Sequence, residues 1–421
     1  MGTVVAESSS KPRRLIEPLT LGLRCSMRPV DRSSRFSRTT TCAALLACLA
    51  GGAGCSSAPS DEPVGVDEAA LTEQCRLETI APISWTASGV LSVAIDRAGN
   101  PHVVAVASWF GTPRPTYATR TNGVWHTEVI ADAMRVLSAS VDVVGDAVRV
   151  TATKTDGEST VYERGPDGFV AVGAAPASGA VVASRWKFHL ASIVSGSDHH
   201  VVDLAERGAD LELRTLQIGS TSWETHALGG HPELLPYEQA IVRRTDDGTF
   251  QVAVQGEDGA LGIWRADAPA GLTLLGVGST GRAGFDFLPS PTSTAAPELL
   301  YHRRDADLEQ PSGWLYRDGT GNTEIVSNGP GQYGTPKLRR GDDGVLRAIV
   351  WTPAPGAAGQ LGDGVATYVR RDPTGWTTAG QWSAKSATLA TRAGRTVVAL
   401  LFSRPSPLDN ELALVDCSAA P

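Results

Sequence analysis

Apolar and polar positions alternate in two short runs across Leu91 to Ala107, LSVAIDRAGNPHVVAVA. The polar Asp-Arg-Ala-Gly-Asn stretch between them predicts strand, tight turn, strand. Similar text returns about every 50 residues, as IVRRTDDGTFQVAVQ (Ile241 to Gln255), LRRGDDGVLRAIVW (Leu338 to Trp351) and LATRAGRTVVALLF (Leu389 to Phe402). That period points to a β-propeller or a solenoid, because each unit must stack on neighbours to bury its apolar faces. The third strand of a unit often pairs an aromatic with an Arg, as in PTYATR (Pro115 to Arg120), STVYER (Ser159 to Arg164), LGIWR (Leu261 to Arg265), GWLYR (Gly313 to Arg317) and VATYVR (Val365 to Arg370). A polar turn and a fourth strand follow, as in VWHTEVIA and WTTAGQW. No stretch after Glu73 carries a helical period.

Placing the first hairpin turn of each unit near Gly99, Gly145, Lys187, Gly248, Ala295, Gly344 and Gly394 gives seven units, with the third and fifth poor copies; six or eight remain possible. The seventh unit ends at ELALVDC (Glu411 to Cys417), one strand short, and CRLETIAPI (Cys75 to Ile83) at the other end matches the missing fourth strand. Sharing one blade between both termini removes the open edges of a linear array, so the expected fold is an all-β, seven-bladed propeller over residues 75–421. This closure would set Cys75 beside Cys417, and a disulfide there is expected in an oxidising compartment.

Ahead of the repeats, Met27 opens a basic stretch with Arg28, Arg32, Arg35 and Arg38, followed by the apolar TTTCAALLACLAGGAG and Cys55. This is the layout of an export signal over residues 1–54, with residues 1–26 read as a gene-start artefact if translation begins at Met27. The apolar run is too short for a transmembrane span. GAGC at Gly52 to Cys55 resembles the lipobox of bacterial lipoproteins, although Gly52 stands where that family prefers Leu; LLAC, ending at Cys48, is the alternative. The resemblance implies lipidation at Cys55 (palmitate among the acyl groups) and, with Ser56 next, sorting to the outer membrane. Residues 55–74 are acidic and Pro-containing and read as a flexible tether.

Charge narrows the partners. The chain has a formal net charge of −8, and residues 1–54 carry eight Lys/Arg and three Asp/Glu, leaving 29 basic and 42 acidic side chains. An acidic body argues against nucleic acid, whose phosphates need Lys and Arg. The near-duplicates RRTDDG (Arg243 to Gly248) and RRGDDG (Arg339 to Gly344) could suggest Ca²⁺, but the spaced acidic loop is missing and Asp-Gly is hairpin chemistry. His199 and His200, with Asp198 and Asp203 close by, could supply metal ligands or sit in a polar loop. His102, Arg149, His189, Gln251 and Arg347 recur at the start of second strands, which suggests a structural role at a sheet end. No G-x-S-x-G, sialidase box or quinoprotein docking signature is present, and no cofactor or metal is expected.

The links between second and third strands read as long and uneven: 108–115, 196–210, 302–313, 352–364 and 403–410. They share one face of a propeller, and long loops on a rigid scaffold are where recognition resides. Trp109, Phe110, Arg114, His199, His200, Arg303, Arg304 and Asp305 are therefore the candidate ligand-binding residues. The chain resembles propeller-bearing bacterial lipoproteins in layout. The expected function is an exported, membrane-anchored binding or scaffolding module of the cell envelope, with an unknown protein or glycan partner. The alternatives are a glycan or polymer hydrolase with a scattered active site and a subunit of an envelope assembly machine.

Overall fold

The computed structural model describes residues 75–84 and, from 91 to 417, the strands and most turns. Residues 1–74, 85–90, 176–190, 266–272, 276–283, 304–312, 354–363, 404–408 and 418–421, with some shorter stretches at links, lie outside the described residues. The expected signal segment, the tether and Cys55 fall among these.

The described chain forms seven four-stranded antiparallel sheets. Blade 1 is β2 (Leu91–Ile95), β3 (Pro101–Trp109), β4 (Thr112–Thr121) and β5 (Val124–Val129). Blade 2 is β6 (Val136–Val144), β7 (Ala147–Lys154), β8 (Ser159–Gly165) and β9 (Gly168–Ala175). Blade 3 is β10 (Ala191–Ser195), β11 (Asp198–Arg207), β12 (Asp210–Gln217) and β13 (Glu224–Gly230). Blade 4 is β14 (Tyr237–Arg244), β15 (Phe250–Gly256), β16 (Leu261–Arg265) and β17 (Thr273–Leu275). Blade 5 is β18 (Phe285–Leu288), β19 (Glu298–Arg303), β20 (Gly313–Arg317) and β21 (Thr323–Asn328). Blade 6 is β22 (Lys337–Arg340), β23 (Leu346–Pro353), β24 (Gly364–Asp372) and β25 (Gly375–Ala384). Blade 7 is β26 (Ser386–Arg392), β27 (Arg395–Ser403), β28 (Asp409–Asp416) and β1 (Arg76–Ser84), in the order β1-β28-β27-β26.

The first strands touch in turn around an axis, β2 to β6, β10, β14, β18, β22, β26 and back to β2, so the array is a closed ring. Seven blades are thus observed, and the shared terminal blade is as expected. One expectation fails. The third hairpin does not turn at Lys187: β10 ends at Ser195 and β11 begins at Asp198. The stretch read as a long link, 196–210, is mostly strand. In the sequence the charged Asp203, Glu206 and Arg207 interrupt the apolar pattern, and Val201, Val202 and Leu204 are buried.

Second strands are covered on both faces, because each lies in the middle of a blade pressed between two others. Val103 to Val106, Val252 to Val254 and Val397 to Leu401 are fully buried. This explains why these runs are continuously apolar rather than alternating. Fourth strands form the outer rim, where Val124, Val170 and Ile325 stay exposed. The core is a set of seams between blades. One cluster joins Val104 and Tyr117 of blade 1 to Val141 and Val150 of blade 2. Another joins Val252 and Trp264 of blade 4 to Val202 and Leu213 of blade 3. The closing seam packs Val397, Leu412 and Leu414 of blade 7 on Leu91, Val103 and Ala118 of blade 1. Third-strand aromatics Tyr117, Trp264, Tyr316 and Tyr368 are buried in these seams, the packing role expected from their repetition.

The duplicated Asp-Gly turns are hairpin chemistry. Gly248 and Gly344 sit at φ +89° and +75°, where a side chain is strained, and each amide closes a turn on the carbonyl of Thr245 or Gly341. The side chains of Asp247 and Asp343 accept backbone amides of Thr249 and Val345 at 3.1 and 3.0 Å, so they are engaged within their own turns.

Cys75 and Cys417 are disulfide-bonded with Cα atoms 4.1 Å apart, just under the usual range. The sequence separation is 342. In the chain-entropy account a loop of that length is worth at most about 5–6 kcal/mol, and measured values fall lower. Reduction, or Cys417→Ser, is expected to lower unfolding free energy by about 2–5 kcal/mol in urea titrations with and without dithiothreitol. Superimposable curves would show that the β1–β28 ladder needs no covalent clasp.

Candidate functional site

In an antiparallel blade the links between second and third strands leave from the opposite end to the first hairpin. Their lengths follow from the strand bounds. Blades 1 and 3 have minimal links, 110–111 and 208–209, blades 2, 4 and 7 short ones, 155–158, 257–260 and 404–408, and blades 5 and 6 long ones, 304–312 and 354–363. The five long links expected from the sequence are therefore two, and they fall on neighbouring blades. Trp109 pairs with Thr112 at the tip of a hairpin instead of lying on a long loop. Phe110, Arg304 and Asp305 lie outside the described residues. Arg114 and Arg303 are half-buried at the ends of β4 and β19, at the same end of their sheets as Trp109.

His199 and His200 do not join them. Both stand at the start of β11, next to the first hairpin, so they belong to the opposite end of the ring. Successive strand residues face opposite ways. His199 Nε2 lies 3.4 Å from Thr151 Oγ1 of blade 2, and the His200 ring meets Phe250 of blade 4 edge-on at 5.5 Å. The pair is inter-blade packing. His199 is 2% exposed, and burial, with Arg149 and His200 adding to it, pushes its pKa down to about 4. His200, rather than His189, holds the second-strand position shared with His102, Arg149, Gln251 and Arg347. Among the described residues no group of three or more His, Cys, Asp or Glu is placed to hold a metal ion.

Two arrangements look chemical at first sight. His102 lies between Asp96 (Nε2 to Oδ2, 3.4 Å) and the Tyr117 hydroxyl (Nδ1 to Oη, 2.6 Å). Burial raises the pKa of Tyr117 and lowers that of His102, so both rings stay neutral beside an ionised Asp96, and Tyr117, 1% exposed, is closed off from any substrate. The other arrangement has open access. Asp286, on the first strand of blade 5, is 1% exposed at its side chain and accepts Arg243 Nη2 of blade 4 at 2.8 Å and Arg339 Nη1 of blade 6 at 3.1 Å. The amides of Phe287 and Leu338 donate to its two oxygens at 2.9 and 2.8 Å. Burial alone would raise the Asp286 pKa; Arg243, Arg339 and Lys337 overcome that and hold it below the ordinary value. Arg243 and Arg339 keep 29% and 30% side-chain exposure and stand on the first strands of their blades, which meet around the axis. These two arginines open the duplicated RRTDDG and RRGDDG, and the blade between them supplies the carboxylate. That repetition, set against the aspartate of FDFL, was the signal available in the sequence.

The inner edges of the first strands are capped by the same kind of exchange. Ser92 Oγ accepts the Val141 amide at 3.2 Å, Gln239 Nε2 donates to the Phe285 carbonyl at 3.4 Å, and Thr391 Oγ1 donates to the Arg340 carbonyl at 3.3 Å. Each link crosses from one blade to the next, satisfying backbone groups that have no fifth strand to pair with.

No family model matches the chain, and no curated relative matches it. Solved structures share the architecture. A chain of the Mitotic Checkpoint Complex aligns at TM-score 0.47 and 11% identity over 80% of this chain and 92% of that one. The lectin from Aleuria aurantia, described as a six-bladed β-propeller, aligns at TM-score 0.42 and 13% identity over 74% and 96%. AofleA from Arthrobotrys oligospora aligns at TM-score 0.41 and 13% identity over 83% and 96%. At these identities the likeness is one of fold. The expected family is corrected: the structures of like architecture include fungal lectins instead of bacterial lipoproteins. The layout resemblance does not hold, nor does the outer-membrane location that the lipobox resemblance implied with Ser56 after Cys55. Four-stranded blades recur in unrelated proteins wherever the apolar pattern and turn chemistry permit them, so a repeat plan carries no lineage or address.

A histidine that is neutral when folded and protonates when unfolded weakens the fold as pH drops below about 6.5, and the loss continues to about 4. Between pH 7 and pH 5, unfolding free energy is expected to fall by on the order of 1–2 kcal/mol through His199. His199→Gln should flatten that slope in urea titrations at the two pH values. An unchanged slope would place the titration elsewhere.

Proposed function

We propose that the propeller is a non-catalytic binding module whose partner, a glycan or a protein, is taken at the end of the ring that carries the long links of blades 5 and 6. The observation that carries this reading is their grouping. Blades 5 and 6 carry nine- and ten-residue links there, while the opposite end is closed mostly by short Asp-Gly and Gly turns. Blade 1 follows blade 7 in the ring, so Trp109 and Arg114 stand at the same rim, next to the link 404–408. Arg303 begins the link of blade 5. Aromatic and Arg side chains at the rim of a rigid scaffold are the usual anchors of an interface. Phe110, Arg304 and Asp305 would extend that set.

The acid–base chemistry among the described residues supports a binding role over hydrolysis. A glycosidase keeps one carboxylic acid protonated near neutral pH beside an ionised partner. Here every described carboxyl with a shifted pKa, Asp96, Asp247, Asp286, Asp318, Asp343 and Asp372, is shifted downward and stays ionised.

Screening the protein against immobilised glycans and an extracellular-protein panel, with retained glycans checked for cleavage, tests the assignment. A retained ligand is expected to stay uncleaved and to lose about tenfold or more in affinity in the Trp109→Ala/Arg303→Ala double variant. The melting temperature should stay within about 5 °C of wild type. Cleavage of a retained glycan, or unchanged affinity in the double variant, would contradict it.

A further inference from the structure

The charge around Asp286 does not balance. Three cations, Arg243, Arg339 and Lys337, surround one carboxylate. Asp286 has no capacity to spare: each of its oxygens already accepts one guanidinium N–H and one backbone amide. Arg339 spends a further contact on the Leu338 carbonyl at 2.6 Å. Lys337 is half-buried, and its ammonium has no hydrogen-bond or ion-pair partner among the described residues. Burial and the two neighbouring guanidinium charges depress its pKa to about 8, against the attraction of Asp286. A surplus of positive charge is thus concentrated on three axial strands of a chain whose formal net charge is −8. Low-dielectric walls focus such a field into the channel between them.

Holding like charges together costs stability, and a fold with no use for them would replace one by an apolar residue. The Arg243 and Arg339 side chains keep 29% and 30% exposure, so each stays partly open to solvent beyond its contact with Asp286. Forked N–H donors beside an ammonium match the oxygens of a carboxylate, sulfate or phosphate group. We propose that the axial strands of blades 4 to 6 form a binding site for an oxyanion, held by Arg243, Arg339 and Lys337 and braced from behind by Asp286. The site lies at the axis and is independent of the rim at blades 5 and 6. Its ligand is an oxyanion group on a molecule slender enough to enter the channel.

Isothermal titration calorimetry with sulfate, phosphate and glucuronate, at constant ionic strength in chloride buffer, tests the site. The expected result is saturable one-to-one binding of at least one probe to the wild-type protein. Preference for glucuronate over the inorganic ions would identify a sugar carboxylate as the ligand group; the reverse order would identify a sulfate or phosphate group. Lys337→Met leaves the Arg243–Asp286–Arg339 contacts in place, so it should fold with unchanged or higher melting temperature and bind the preferred probe at least about tenfold more weakly. Lys337→Arg restores the charge and should recover most of the affinity. Absence of one-to-one binding for all three probes, or wild-type affinity in Lys337→Met, would overturn the proposal.

Discussion

The structure depends on the pairing of β1 with β28. Arg76 to Ser84 runs antiparallel to Asp409 to Asp416, with a single register shift near Ile80. This ladder supplies the fourth strand of blade 7 from the far end of the chain. Around it the last seam closes: Ile80 packs with the cluster of Leu91, Val397, Leu412 and Leu414. Glu78 reaches across the seam to Arg120 at 3.0 Å and to the Trp125 indole at 3.4 Å. Arg392 of β26 donates to the Ile95 carbonyl at 3.0 Å on the other side. A linear stack of seven blades would expose two apolar faces; the ring exposes none.

Closure also explains where chemistry can reside. Every blade face is committed to a seam, so side chains on second and third strands are fixed by packing. Two places escape that demand. One is the rim where second strands pass to third, and there the link lengths diverge on neighbouring blades. The other is the axis, where first strands meet without fully filling the space between them. Backbone groups at the axis are capped by side chains from adjacent blades, and Asp286 does this for Leu338 while pairing with two arginines. An isolated carboxylate at that depth would be expelled to its neutral form; the surrounding cations keep it charged.

The architecture was legible because two strands and a tight turn leave a local signature. Repetition of VAIDRAG, IVRRTDDG and LRRGDDG counts the blades, and the missing last strand announces the closure. Blade 3 shows the limit. Its second strand carries Asp203, Glu206 and Arg207, so hydropathy alone misread Asp198–Arg207 as a link, and His199 and His200 were assigned to the wrong end of the ring. The link read over 108–115 shrinks for a related reason: Pro113 and Pro115 lie within β4. The axial site was beyond local reading. Its charges come from three blades, and the partner of two repeated arginines sits in the poorest copy of the repeat. The export segment and Cys55 gave a family expectation that the architecture of the repeats does not carry.

Amide hydrogen exchange of the oxidised protein tests the closed ring most directly. The account predicts that a peptide covering residues 76–84 is protected as strongly as one covering residues 409–416. Both should become exposed together when the protein unfolds, since neither edge is stable without the other. Free-chain exchange across residues 76–84 with protection retained across residues 409–416 would contradict it, and would leave an open six-and-three-quarter-blade array in place of the ring.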